Sequence, residues 1–125
     1  MKKIIFTENA PKAIGPYSQA VETNGTLYIS GQVPIDPSTG KLIEGGIKEQ
    51  TEQVMKNIGA ILEAAGYTFM DVVKSVCLLS DMDNFAAMNE VYGSYYKHDN
   101  PARAAFSVVR LPLGALIEIE TVAVK

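Results

Sequence analysis

Ile47, Thr51, Val54, Met55, Ile58, Ile61, Leu62 and Ala65 recur at helical spacing, and Gly66 follows the last of them. That period predicts an amphipathic helix ending in a glycine cap. A second helix is expected from the capping residues Ser80 and Asp81 to about Lys97, with Phe85, Met88, Tyr92 and Tyr95 or Tyr96 on its apolar face. Elsewhere the pattern reads as strands, over Ile4–Thr7, Val72–Leu79, Arg103–Val109 and Leu116–Val124. Ser18–Glu22 and Thr26–Ser30 flank Thr23-Asn24-Gly25, and Asn-Gly between strand-like runs predicts a hairpin. Glu8–Pro16 reads as a loop, and Gly31–Gly46 as irregular chain around the turn-forming Asp36-Pro37-Ser38-Thr39-Gly40.

A hairpin, helix, strand, helix and two strands predict an α+β two-layer sandwich, with both helices on one face of the sheet. The other face is expected to carry Arg103, Ala105 and Ser107, with either Ile117, Ile119 and Thr121 or Glu118, Glu120 and Val122 beside them. No third helix exists to cover that face, so self-association is the economical solution.

The length of 125 residues suits one domain over 1–125. Such a chain buries roughly two thirds of its unfolded surface, enough for one core. The net charge of −3 and the scattered Lys and Arg residues give no basic field for nucleic acid. Nothing resembles a signal peptide or an apolar run of membrane-spanning length, so a cytoplasmic protein is expected. Cys77 and His98 are the only residues of their kinds, which excludes a His/Cys zinc site and an intrachain disulfide. Cys77 lies in an apolar strand and reads as a buried, inert thiol; His98 lies in a polar turn.

Arg103 is the candidate of greatest interest. Alternation puts it beside the small Ala105 and Ser107, opposite Ala104, Phe106 and Val108. A guanidinium with open space before it offers a planar fork that matches a carboxylate ligand. The same residue could instead pair with a glutamate of a neighbouring strand. Three further segments could meet it at one pocket: Gly15-Pro16-Tyr17-Ser18-Gln19, Tyr28-Ile29-Ser30-Gly31-Gln32 and Ile117-Glu118-Ile119-Glu120. On a regular strand Glu118 and Glu120 point the same way, and the sequence does not say which reaches the pocket.

Taken together and in this order, the chain resembles the reactive intermediate deaminases, the enamine/imine deaminases, and within them the archetypal A branch. The resemblance spans nearly the whole sequence. It is carried by Glu8-Asn9-Ala10-Pro11, Ala13-Ile14-Gly15-Pro16-Tyr17-Ser18-Gln19, Ser30-Gly31-Gln32, Glu63-Ala64-Ala65-Gly66, Asp83-Asn84-Phe85, Met88-Asn89, Pro101-Ala102-Arg103, Arg110-Leu111-Pro112 and Ile117-Glu118-Ile119-Glu120. It implies a mixed sheet with two helices on one face, as in bacillus-type chorismate mutase, and a homotrimer with sites between subunits. It implies hydrolysis of small 2-imino acids and their enamine tautomers, such as 2-aminoacrylate, to 2-keto acids and ammonia. Pyridoxal-phosphate-dependent dehydratases release such compounds, and their removal protects pyridoxal-phosphate enzymes from damage.

By the same resemblance Arg103 binds the substrate carboxylate, and Glu118 positions or activates water and shuttles a proton. Tyr17, Ser30, Gly31 and Asn89 line the pocket, and the backbone of Ala105 contacts the imine end. Many members of the branch carry cysteine where this chain has Ala105, so thiol chemistry tied to that position is not expected here. An imine carbon is already electrophilic, so neither metal nor cofactor is expected; a placed water, a general base and a fixed cation suffice. Three other readings remain: a non-catalytic trimer that binds small carboxylates, a translation-inhibiting endoribonuclease, and a chorismate mutase by fold analogy. The acidic composition argues against the nuclease, and fold alone does not fix function.

Overall fold

A computed structural model describes residues 1–125. Eight strands, β1 (Lys3–Ile5), β2 (Ala20–Thr23), β3 (Thr26–Gln32), β4 (Ile35–Asp36), β5 (Lys41–Leu42), β6 (Val72–Leu79), β7 (Ala102–Ser107) and β8 (Ile117–Val124), accompany two helices, α1 (Ile47–Ala65) and α2 (Phe85–Ser94). Six strands form one sheet in the order β1-β2-β3-β8-β6-β7. The β6–β7 pair is parallel and the others antiparallel, so the sheet is mixed.

The hairpin forms where Asn-Gly predicted it. Asn24 and Gly25 have φ of 49° and 76°, the paired positive values of a type I′ turn, and β2 and β3 pair directly across them. α1 ends as its sequence requires, with Gly66 left-handed at φ 82° and the Tyr67 amide donating to the Leu62 carbonyl. Its stripe of Val54, Met55, Ile58, Ile61 and Leu62 is buried. These side chains meet Leu27, Ile29, Cys77, Leu79, Ile117, Ile119 and Ala123 of the sheet, with Met88 and Tyr92 of α2 and Tyr96 just after it.

Three expectations are corrected. Gly31–Gly46 is not wholly irregular, because β4 and β5 pair in a small hairpin of their own. Asp36 holds its turn by accepting from the amide and hydroxyl of Ser38. The second helix is shorter than its apolar period. Residues Met82–Asn84 form a 3-10 turn capped by Asp81, and the chain tightens again where the Tyr95 and Tyr96 amides donate to carbonyls three residues back.

The third correction concerns the faces of the sheet. Arg103, Ala105 and Ser107 lie in register with Ser75, Cys77 and Leu79, which are buried under the helices. They therefore occupy the helix face, not the uncovered one. Alternation sorts β7 into two sets but does not say which set is covered, and the large Phe106 turns outward at 48% exposure. In β8 the isoleucines and Thr121 face inward, which leaves Glu118, Glu120 and Val122 on the open face with Tyr28 and Phe106.

Candidate active site

Gln19, buried immediately before β2, organises the loop that leads to it. Its Nε2 donates to the carbonyls of Thr7, Ala10 and Pro11, and its Oε1 accepts from the Thr7 amide at 2.8 Å. Ser30 fastens the next stretch: its hydroxyl donates to the Ser18 carbonyl at 2.6 Å, and its amide to the Gln19 carbonyl at 3.0 Å. Residues 11–19 are thereby folded over the end of β3, with Tyr17 carried on a tight turn closed by its own amide and the Gly15 carbonyl.

Beneath this loop lies a cleft of about 470 Å³, lined by Tyr17, Ser30, Gly31, Glu118 and Glu120 with Lys12, Gln19, Gln32 and Pro112 at its walls. β3 carries an extra residue between Ile29 and Gln32 relative to β8, a bulge that covers Ser30 and Gly31. Gly31 packs directly on Glu118. A Cβ at that position would overlap Glu118 Oε2 and stand 2.9 Å from Cδ, so the absence of a side chain makes room for the carboxyl. Burial, and then the negative charge of Glu120, hold the Glu118 carboxyl above the usual range. Both glutamates line the cleft, but Glu118 is the half-buried one and Glu120 is exposed.

Arg103 lies elsewhere. It emerges from β7 beside α2, where its Nη1 donates to Asn89 Oδ1 at 2.6 Å. Its guanidinium carbon stands 5.4 Å from the centre of the Phe85 ring and 5.1 Å from that of Tyr92. The chain's one ion pair joins Lys48 and Glu90, so no carboxylate of its own chain neutralises Arg103, and the ion pair with a neighbouring strand considered from sequence is not formed within the chain. Arg103 and Asn89 border a second cleft with Tyr92, Gly93, Asn100 and Pro101.

The residues expected at one pocket thus divide between two. Tyr17, Ser30, Gly31 and Glu118 meet in the first cleft, and Asn89 and Arg103 in the second. Within one chain Glu118 and Arg103 leave the sheet on opposite faces. Ala105 borders neither cleft. β7 closes the sheet, and the Val108 amide donates inward to Leu79. Alternation then directs the amides of Arg103, Ala105 and Ser107 to the free edge.

Cys77 is fully buried, and burial pushes its thiol up to about 11 although nearby Arg103 acts in the opposite sense. His98 is exposed, and no group of three or more His, Cys, Asp or Glu side chains converges as metal ligands would. No helix is long and apolar enough to cross a membrane. Sequence reasoning placed Gln19 in a pocket segment but missed two other buried amides that build the site: Gln50, whose Oε1 accepts from the Leu116 amide ahead of β8, and Asn57, whose Nδ2 donates to the Val33 and Ile35 carbonyls. Gln50 and Asn57 sit among the polar positions of a helical pattern, where nothing distinguishes a buried amide from a solvated one.

Comparison with known proteins agrees along the full length. The family model described as endoribonuclease L-PSP matches residues 7–125. A RutC family protein of Pyrococcus horikoshii is 58% identical over 100% of this chain and 99% of its own. The human 2-iminobutanoate/2-iminopropanoate deaminase is 51% identical over 100% of this chain and 91% of its own. The crystal structure of Escherichia coli TdcF with bound serine superposes with a TM-score of 0.94 at 38% identity, covering 98% of each chain. The chain belongs to the RidA/YjgF/RutC family of reactive intermediate deaminases.

Proposed function

We propose that this protein is a 2-iminobutanoate/2-iminopropanoate deaminase: it adds water to the C=N bond of small 2-imino acids and releases a 2-keto acid and ammonia. The observation that carries the reading is Arg103, a guanidinium fixed by Asn89 and unpaired with any carboxylate of its own chain. Its free fork is the natural partner of a substrate carboxylate. Relatives from human and mouse, 51% and 52% identical across this whole chain, bear the deaminase name, and serine, a small amino acid, is bound in TdcF.

Arg103 anchors the substrate carboxylate, and the free amide of Ala105 on the same strand edge meets the reacting end. Glu118 takes a proton from water as the oxygen bonds to the imine carbon, and returns one to the nitrogen as the C–N bond breaks. For the enamine tautomer, a protonated Glu118 can first deliver a proton to the terminal carbon, and a carboxyl held above its usual range suits both duties. Tyr17 and Gly31 shape the Glu118 cleft, and Ser30 holds the loop that carries Tyr17. The chemistry calls for no metal or cofactor.

The acting form is a homotrimer with each site shared between two copies. Two observations support this: Glu118 and Arg103 point to opposite faces of one sheet, and the open face presents Tyr28 and Phe106 at 51% and 48% exposure. The protein works in the cytoplasm, where it clears imines released by pyridoxal-phosphate-dependent dehydratases before they damage pyridoxal-phosphate enzymes. The family model's description favours a nuclease as second reading, but a net charge of −3 and two carboxylates in the larger cleft oppose a phosphate backbone.

The test is a coupled assay in which a dehydratase generates 2-aminoacrylate from serine and keto-acid formation is followed. The protein is expected to accelerate pyruvate release. An unchanged rate, with RNA cleavage that survives purification and disappears in Arg103→Ala, would favour the nuclease.

A further inference from the structure

Arg103 is held by three residues of one helix. Phe85, Asn89 and Tyr92 follow one another at spacings of four and three, so they share one face of α2. Asn89 supplies the single hydrogen bond, to Nη1. The two rings supply the surroundings, at 5.4 and 5.1 Å from the guanidinium carbon, both inside the range of a cation–π contact. The remaining nitrogens make no ion pair, so beyond the Asn89 bond these two rings are the guanidinium's contacts.

The Tyr92 ring is itself fixed from below. Tyr92 is 6% exposed, packs against Tyr96 at 4.9 Å between centroids, and carries its hydroxyl into the interior between α2 and the sheet. The hydroxyls of Ser75, Tyr92, Tyr96 and Thr121 are all buried there, those of Ser75, Tyr92 and Tyr96 close to one another. Ser75 is the register partner of both Arg103 and Thr121, so this polar pocket lies beside the base of the arginine. Polar atoms are rarely gathered in an apolar layer without consequence. Here they surround the tip of a Tyr92 ring whose centre lies 5.1 Å from the Arg103 guanidinium carbon.

We infer that Phe85 and Tyr92 are positioning residues that form an aromatic cradle for Arg103 and orient its fork towards the substrate carboxylate. The cradle acts through Arg103 and touches no reacting atom. It rests on the reading of Arg103 as the carboxylate anchor, and it predicts a binding defect, not a chemical one. A ring that holds a cation in place contributes equally before and during the reaction, so its loss weakens affinity and spares kcat.

The experiment measures the dissociation constant for 2-oxobutanoate by titration calorimetry, kcat in the coupled assay, and the melting temperature. The variants are Tyr92→Leu, Tyr92→Phe, Phe85→Leu and Arg103→Ala, each as the full assembled protein. Tyr92→Leu and Phe85→Leu are each expected to weaken 2-oxobutanoate binding about 3–30-fold, with kcat within about threefold of the parent. Tyr92→Phe keeps the ring and is expected to bind within about twofold of the parent. Phe85 is only partly buried, so Phe85→Leu decides the matter if Tyr92→Leu does not fold. Leucine variants that melt lower yet bind 2-oxobutanoate normally, while Arg103→Ala does not bind, would overturn the cradle alone. Normal binding by Arg103→Ala would overturn the anchor and the cradle with it.

Discussion

Gly31 and Glu118 are coupled through space rather than through sequence. Any side chain at 31 takes the volume that the Glu118 carboxyl occupies. The flexible glutamate yields before the strand does, so Gly31→Ala is expected to stay folded while kcat/KM falls by on the order of 10²-fold; circular dichroism with turnover checks this. Glu118 itself carries a cost to stability. Its native pKa is raised, first by burial and then by Glu120, so its contribution to folding is complete below the unfolded value and is lost as pH rises through the native one. Glu118→Gln should therefore melt above the parent near neutral pH, converge with it towards about pH 4, and lose turnover at every pH. Cys77→Ala should keep turnover and lose stability, since a buried thiol pushed up to about 11 is packing material; a folded but inactive variant would contradict that. The sequence makes the types of these residues legible but not their partners. Arg103 reads as an anion site or an ion pair until the structure shows that no carboxylate of its own chain reaches it.

At the scale of elements, turn chemistry and periodicity carry most of the fold. Asn24-Gly25 and Gly66 punctuate the chain where their positive φ values are needed. Gly66→Ala is accordingly expected to cost about 1 kcal/mol of stability and to leave turnover per folded molecule unchanged, as thermal melts and rate measurements on one preparation would report. α2 is harder to read. Its apolar period continues through Tyr95 and Tyr96, but the backbone tightens to three-residue bonds there, and Tyr96 stays buried and Tyr95 partly buried without continuing the helix. The β4–β5 hairpin escapes notice because two-residue strands leave no period to count. β7 misleads for a different reason. Size suggests that Phe106 is core and Arg103 is surface, whereas the small residues beside Arg103 face α2 and the large one faces outward.

On the scale of the whole molecule, that inversion explains why the site is divided. A sheet with Glu118 on its open face and Arg103 on its helix face cannot bring both to one small substrate within a single copy. The open face presents Tyr28, Phe106 and Val122, the apolar surface on which the proposed trimer would pack. Light scattering should report a trimer, and Phe106→Asp should shift it towards monomer and remove turnover in parallel while secondary structure is kept. A fully active monomer would contradict the shared site. Sequence reasoning anticipates an uncovered face from the missing third helix, but which residues it presents depends on register.

The most direct measurement of the central claim is complementation between two inactive variants. Arg103→Ala and Glu118→Gln are each expected to lose about 10²–10⁴ of kcat/KM alone. Co-expressed at equal levels, they assemble mixed trimers in which one boundary pairs an intact arginine with an intact glutamate. Random assembly in a cyclic trimer then restores about a quarter of parental turnover. Activity no higher than that of the separate variants, from trimers shown to contain both chains, would contradict a deaminase site built from Arg103 of one copy and Glu118 of the next.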